Sequence, residues 1–476
     1  MFCINKPTGA GRSSTTLHGL NGCSYSTTLI REESTTSKLF STLSFVALSV
    51  STGLVLLAAP ADPAAPDPGP RRVFAHYMVC FATYGEGVEN YKREIREAQA
   101  AGIDGFALNC GSWHNEPHYP RRVAQLYQAA KELDSGFRLF FSIDLDNVDF
   151  ILDMVRTYAR HPAQFHHGGR VVVSTFAASG VPWKQKVFAP LRKAGIRVFF
   201  VPYFFPDPVT ELPSYADAVK HHAKWAGVVD GMFYFGASGL PSQLAASNAA
   251  CTKALHEAGK LSMASYTPSY WGHKQPGKRY YESAGGEGTE LQWKSIIETQ
   301  PEWVEIVTWN DFGEASYVCP IADFTKTLSF LEPPPRPCHA GYLELSRYFI
   351  EWYKTGQRPA VKQEGLFFFY RTHPKDSVVG GDTPVVVREG AIEDVLYVTT
   401  LTNAAAELRV TTGGVAAAPV PVAPGLQHHR IPFKPGAQRF ELYRDGKAIA
   451  AADGAAIEAQ PKHYNFVTAT GYAYVR

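Results

Sequence analysis

Cysteine is scarce in this chain, seven residues in 476, and none stands in a C-x-x-C spacing, which argues against a zinc cluster. Surplus charge is missing as well. The 46 basic and 44 acidic residues leave a formal +2 without long runs of one sign, so nothing electrostatic favours nucleic acid, and a neutral ligand fits better. The apolar stretch from Phe45 runs for roughly 14 residues, short of the about 20 that span a bilayer. No G-x-G-x-x-G follows the first predicted strand, which removes the fingerprint of an open dinucleotide-binding sheet. The histidine pairs His166-His167, His221-His222 and His428-His429 are adjacent, pointing apart on a strand and about 100° apart on a helix. They read as surface, and neither a metal nor a cofactor is expected.

Aromatic residues are abundant, with 29 Phe, 24 Tyr and 8 Trp. They are core material first, and also the side chains that stack on the apolar faces of sugar rings. Residues 1–70 read as a separate region. After Lys38 the apolar stretch leads to Ala59-Pro60-Ala61, an A-x-A site like that of a displaced secretory signal peptide. The chain is therefore expected to be exported, to an extracellular or periplasmic location, without stable membrane association after cleavage; a true membrane anchor is the competing reading. A start codon placed too far upstream is expected to account for the preceding segment with Cys3 and Cys23, and Pro60 to Pro70 is expected to be a disordered linker. Export would permit disulfides. Cys80 with Cys110 and Cys319 with Cys338 are the candidate pairs, and buried free thiols are the alternative.

From Arg71 a unit repeats: a β-rich apolar run, a polar loop, an amphipathic helical stretch. The runs are 73–79, 105–110, 138–144, 170–176, 197–204, 230–235, 261–268 and 303–309. Eight units spaced by roughly 30 residues point to a (β/α)8 barrel over 71–360, and near-continuous apolar runs suit parallel strands covered on both faces. Beyond it the runs shorten and alternate, and Asp445-Gly446 is a type I′ hairpin signal. Residues 361–476 are predicted to form an antiparallel β-sandwich. Its aromatics Phe367, Phe369 and Tyr370 read as core rather than as a binding platform.

A barrel carries its chemistry at the C-terminal ends of its strands. The polar and aromatic residues ending the runs are His76, Asn109, Asp144, Asp146, Tyr203, Tyr266, Trp309, Asn310, Asp311 and Glu314. Glycosidic hydrolysis needs one protonated and one ionised carboxyl. Asp311 and Glu314, in "WNDFGE", can supply both, with Trp309 and Phe312 desolvating one of them. Asp144 is a third candidate. The competing reading of "WNDFGE" is a helix N-cap with an acidic first turn.

The motifs "VFAHYMV", "AGIDGFALNCGS", "LFFSIDLD", "PEWVEIVTWNDFGEASYV" and "FYRTHPKD" resemble, in this order, those of glycoside hydrolase family 71, the α-1,3-glucanases or mutanases. The resemblance runs from Val73 to the C-terminus. It implies a catalytic barrel followed by a β-sandwich, endo-type hydrolysis of α-1,3-glucan with inversion, and no organic cofactor. It also implies that Asp311 and Glu314 are the catalytic pair, assigned as base and acid, about 6.5–9.5 Å apart to admit water. The chain departs from the family where an Asp commonly follows Gly-Ser, because Gly111-Ser112 is followed by Trp113. Asp144 or Asp146 is then expected to substitute, or the subsite is built differently. Tyr266, Tyr270 and Trp271 keep ring-stacking chemistry in the looser seventh-strand region. An endo-α-mannosidase-like hydrolase and a non-catalytic carbohydrate-binding protein are the alternatives. A polysaccharide is the expected partner in all three, and the sequence gives no oligomeric state.

Overall fold

Short runs of Val, Phe, Ile and Tyr flanked by helices bury both faces of a sheet, and these segments pair as parallel strands. In the computed structural model, which describes residues 69–272, 279–321, 337–380, 386–387, 390 and 392–476, the strands are β1 (Arg72–Met78), β2 (Gly105–Cys110), β3 (Arg138–Ile143), β4 (Arg170–Thr175), β5 (Val198–Phe200), β6 (Gly231–Phe233), β7 (Leu261–Tyr266) and β8 (Trp303–Ile306). They lie in one curled sheet in the order β5-β4-β3-β2-β1-β8-β7-β6. The end strands approach each other as well: the amides of Asp230 and Phe233 donate to the carbonyls of Phe200 and Pro202, both at 2.9 Å. Inward side chains fill the interior, where Phe74 meets Phe140 at 4.9 Å and Trp303 at 5.8 Å between ring centroids. Outward side chains meet the helices, as where Tyr77 donates to Glu94 of α1 (Val88–Ala100).

Helices follow the strands: α2 (His118–Leu133), α3 (Val148–Tyr158), α4 (Ala189–Lys193), α5 (Tyr215–Trp225), α6 (Pro241–Glu257), α7 (Gly285–Thr299) and α8 (Ala340–Thr355). Ser214 caps α5 in a reciprocal box with Asp217, as the S-x-x-D spacing permits. A short antiparallel pair, Tyr270–Gly272 with Arg279–Tyr281, stands between β7 and α7. None of the helices among the described residues is long and apolar enough to cross a membrane.

Two antiparallel sheets complete the chain. One has the order β12 (Gly425–Pro432), β10 (Val395–Thr402), β9 (Gly365–Tyr370), β15 (Ala469–Tyr474). The other is built on β11 (Ala406–Thr412), β13 (Gly436–Arg444) and β14 (Lys447–Ile457). They share one core, in which Phe368 of β9 stacks on Phe440 of β13 at 4.1 Å. Asp445 and Gly446 both have positive φ, 49° and 72°, as the type I′ hairpin requires. The second face of β9 is covered too, with Phe369 4.6 Å from Tyr342 of α8. Phe367, Phe369 and Tyr370 are all buried, although they do not share one face. Glycine opens α7 because the sheet lies against it: a Cβ on Gly286 would stand 1.9 Å from Thr399 Oγ1. Arg430 of β12 adds an ion pair to Glu287 of α7 at 2.6 Å, and His428 Nε2 lies in hydrogen-bond contact with Glu290 Oε2 at 2.7 Å. Residues Asp67–Arg476 form one compact unit.

Two expectations are corrected. Neither candidate pair is formed: Cys80, Cys110, Cys251, Cys319 and Cys338 are in no disulfide, the alternative the sequence left open. Burial pushes the thiols of Cys110, Cys319 and Cys338 up, and that of Cys251 to about 12, so they behave as small apolar side chains. The histidine pairs are not uniformly surface residues: His222 is buried, and His428 and His429 are half-buried. An amphipathic helix or a covered strand turns one side inward, so adjacency alone does not decide exposure. The readings of the signal segment, Cys3 and Cys23 fall in residues 1–68, outside the described residues, as do all but Gly69 and Pro70 of the linker and most of the run "TPVVVRE".

Candidate active site

The segment after β8 folds into a tight turn instead of the first turn of a helix. Asp311 Oδ1 accepts the amide of Glu314 at 2.9 Å, and the amide of Asp311 donates to Thr308 Oγ1 at 2.7 Å. This is the capping chemistry expected of Asp, spent on a turn. It leaves Asp311 2% exposed and Glu314 half-buried. Burial raises the pKa of Asp311, opposed by the amides of Glu314 and Gly313 and by His76. Burial, and then the charge of Asp311, push Glu314 up to about 7, opposed by Arg279 and Tyr270. One of two neighbouring carboxyls is thereby held protonated near neutrality.

Around this pair the strands deliver further groups. His76 of β1 and Glu305 of β8 are both fully buried, with His76 Nδ1 2.6 Å from Glu305 Oε1. Asp144, just past β3, is half-buried, and burial pushes it up to about 6 against the offsetting Asn109 amide and His76, while Asp146 raises it. Asp146 itself is exposed at the rim. Tyr270 donates its hydroxyl to Glu314 Oε1 at 3.3 Å and receives Arg279 Nη2 at 2.9 Å. Tyr203 lies 5.5 Å from Phe176 and 5.8 Å from Phe235, whose ring edge meets His76 at 5.1 Å. The structure thus brings together His76, Asn109, Asp144, Asp146, Tyr203, Tyr270, Asp311 and Glu314.

It directs the other five elsewhere. Trp309 is fully buried and donates its indole N–H to Glu94 Oε2 at 2.8 Å on the outer side of β1. Tyr266 hydrogen-bonds Thr289 of α7 and lies 5.2 Å from Trp293. Trp113 donates to Asp153 of α3 at 2.7 Å. Trp271 is fully buried, its ring 6.1 Å from Phe466. Asn310 binds the end of β1, accepting the Met78 amide at 2.7 Å and donating to Met78 O, Phe81 O and Thr83 Oγ1. These are bracing positions, where ring and amide groups are used up inside the protein. Asn310→Ala is expected to lower the unfolding free energy by about 1–3 kcal/mol for the stranded Met78 amide, read as a lower urea midpoint.

Three residues outside the sequence expectation join the site. Glu305 is legible as a carboxylate inside an apolar strand. Arg279 carries no motif and arrives through the short hairpin. Phe205, 40% exposed beside Tyr203, is the aromatic that offers an open face. Among the described residues no group of three or more His, Cys, Asp or Glu could hold a metal ion.

With this geometry in place, the chain can be compared with known proteins. The family model described as glycosyl hydrolase family 71 matches residues 69–474. A glucan endo-1,3-alpha-glucosidase of Schizosaccharomyces pombe is 30% identical, over 85% of this chain and 95% of its own. A mutanase of Penicillium rubens is 28% identical, over 83% and 87%. Among solved structures, a GH99 endo-alpha-mannosidase from Bacteroides thetaiotaomicron aligns with a TM-score of 0.47 at 16% identity, over 61% of this chain and 98% of that one.

Proposed function

Because the chain belongs to glycosyl hydrolase family 71, and is thus a glycoside hydrolase, we propose that it is an endo-acting, inverting hydrolase of α-1,3-glucan. The observation that carries the reading is the Asp311/Glu314 turn, a buried and a half-buried carboxyl with raised pKa values that bear on each other. Glu314, protonated at neutral pH, gives its proton to the leaving glycosidic oxygen. Asp311, ionised, takes a proton from the water that attacks the anomeric carbon from the opposite face, so an α-linkage yields a β-product. A non-catalytic binding protein has no use for such a pair. The Schizosaccharomyces pombe relative named a glucan endo-1,3-alpha-glucosidase supports the linkage.

The fold reading that goes with it is a closed (β/α)8 barrel over 71–360, supported by the β5–β6 hydrogen bonds, and a β-sandwich over 361–476, supported by the shared core of its sheets. Asp144 takes the place of the acid expected after Ser112; its Oδ2 lies 3.6 Å from where a Gly111 Cβ would stand. His76, Asn109, Asp146, Tyr203, Tyr270 and Phe205 hold the sugar. Secretion fits a polysaccharide substrate and the segment ending at Ala61. The test is incubation with insoluble α-1,3-glucan, followed by reducing-end assay and immediate proton NMR. New reducing ends with the β-anomer first are expected. The α-anomer first overturns inversion, and release from α-mannan but not from α-1,3-glucan overturns the substrate.

A further inference from the structure

Glu305 stands in the barrel interior, two positions along β8 from Trp303 and just above the layer of Phe74, Phe140 and Trp303. A carboxyl there is costly unless paired, and an apolar pair of similar volume would serve stability at least as well. Its one partner among the described residues is His76, at 2.6 Å with both side chains fully buried, the length of a charge-assisted bond. The other atoms of the pair, His76 Nε2 and Glu305 Oε2, are buried with no partner among the described residues. Phe235 meets the edge of the ring at 5.1 Å and limits its tilt. The groups whose charge bears on the imidazole come from three places: Glu305 on β8, Asp144 past β3 and Asp311 past β8.

We propose that Glu305 is a positioning residue that acts through His76, accepting Nδ1–H and keeping a cationic imidazole turned, by Nε2, toward the carboxylates of Asp311 and Asp144. The inference rests on the reading that Asp311 and Glu314 form the reacting pair. Burial raises Asp144, Asp311 and Glu314. A cation beside Asp311 adds to the amides of Glu314 and Gly313 in opposing that rise, and so helps to keep base and acid apart. His76 lowers both Asp311 and Asp144, and the Glu305 carboxylate keeps that cation in a dry interior.

The test compares wild type with Glu305→Gln, which keeps the shape and removes the charge. Rates on soluble α-1,3-gluco-oligosaccharides are measured from acid to alkaline pH. The expected result is a fall in kcat of about tenfold or more with KM nearly unchanged, and an acidic limb moved up by about one pH unit while the alkaline limb stays. A profile superimposable on wild type, or a kcat loss with no movement of the acidic limb, overturns the proposal. If wild type cleaves no α-1,3-glucan, the functional reading has failed, and the pair is judged without substrate. Proton–nitrogen NMR of histidine-labelled protein should show His76 Nδ1 protonated in wild type and that signature lost in Glu305→Leu. An unchanged signature overturns the role of Glu305, and if the Leu variant does not fold, altered Nδ1–H shielding in Glu305→Gln decides.

Discussion

Glu314→Gln should lower kcat on α-1,3-glucan by about 10²- to 10⁴-fold, the usual contribution of a positioned general acid. The variant keeps the volume and the contact with Tyr270, so the fold should hold. The sign of its pH behaviour follows from the raised pKa. A carboxyl held up to about 7 is protonated and competent below that pH, so wild-type activity falls as pH rises through about 7. Linkage runs the same way: the stability gained by burying the neutral acid is fully present below the ordinary value of 4.5 and lost as pH rises through about 7. A Gln amide at this position cannot ionise, so the variant should be at least as stable as wild type above pH 7, read by thermal unfolding at pH 6 and 8. The chemical check is a substrate that leaves without a proton. An α-1,3-linked oligoglucosyl fluoride should restore most of the lost rate and show no alkaline limb. If fluoride leaves the variant as slow as the glucan does, Glu314 is not the acid.

Why sequence singles out Glu314 and Asp311, yet also collects Trp309 and Asn310, which turn away from them, has two causes: strand periodicity, and the end of β8 at Ile306, past which Trp309 no longer keeps the facing of Trp303 and Glu305. Side chains alternate across a strand, so only every second residue at a strand end faces the interior. Tyr266 ends β7 facing α7, and Trp309 faces α1 through Glu94. Gathering whatever polar or aromatic residue ends each run mixes the two faces. Applied within β8, the same periodicity places Trp303 and Glu305 on its inner face, and picks out Glu305 as a carboxyl inside the curled sheet. Eight strands in order are readable because each is bounded by turn residues and followed by an amphipathic helix. The strand β9 is readable too, with Phe367, Phe369 and Tyr370 as core, but the helices α7 and α8 that cover its second face are not, because that contact forms only in the folded chain. Arg279 lies beyond any local rule: its contact with Tyr270 exists only once the hairpin folds over the turn that carries Glu314.

Asp311→Asn should cost as much as the acid, about 10²- to 10⁴-fold in kcat, and should differ from it in one decisive respect. Asn retains an oxygen able to accept the Glu314 amide, which Asp311 Oδ1 now does at 2.9 Å, and Asn forms the same side-chain turn as Asp. The backbone of 311–314 should therefore persist, and with it the position of Glu314. Asp311→Ala, by contrast, strands that amide and should lower stability as well as rate. What Asn lacks is the basicity to take a proton from water. A fluoride substrate still needs that water, so it should not rescue Asp311→Asn although it rescues Glu314→Gln. The opposite pattern, rescue of the Asn variant alone, would exchange the two roles. A third pattern points elsewhere: if Asp144→Asn is slow and beyond rescue while Asp311→Asn stays within a few-fold of wild type, the base is Asp144. Its pKa of about 6 and its place beside Asn109 and His76 make it the one rival the geometry supplies, and Asp311 would then serve only to fold the turn that presents the acid.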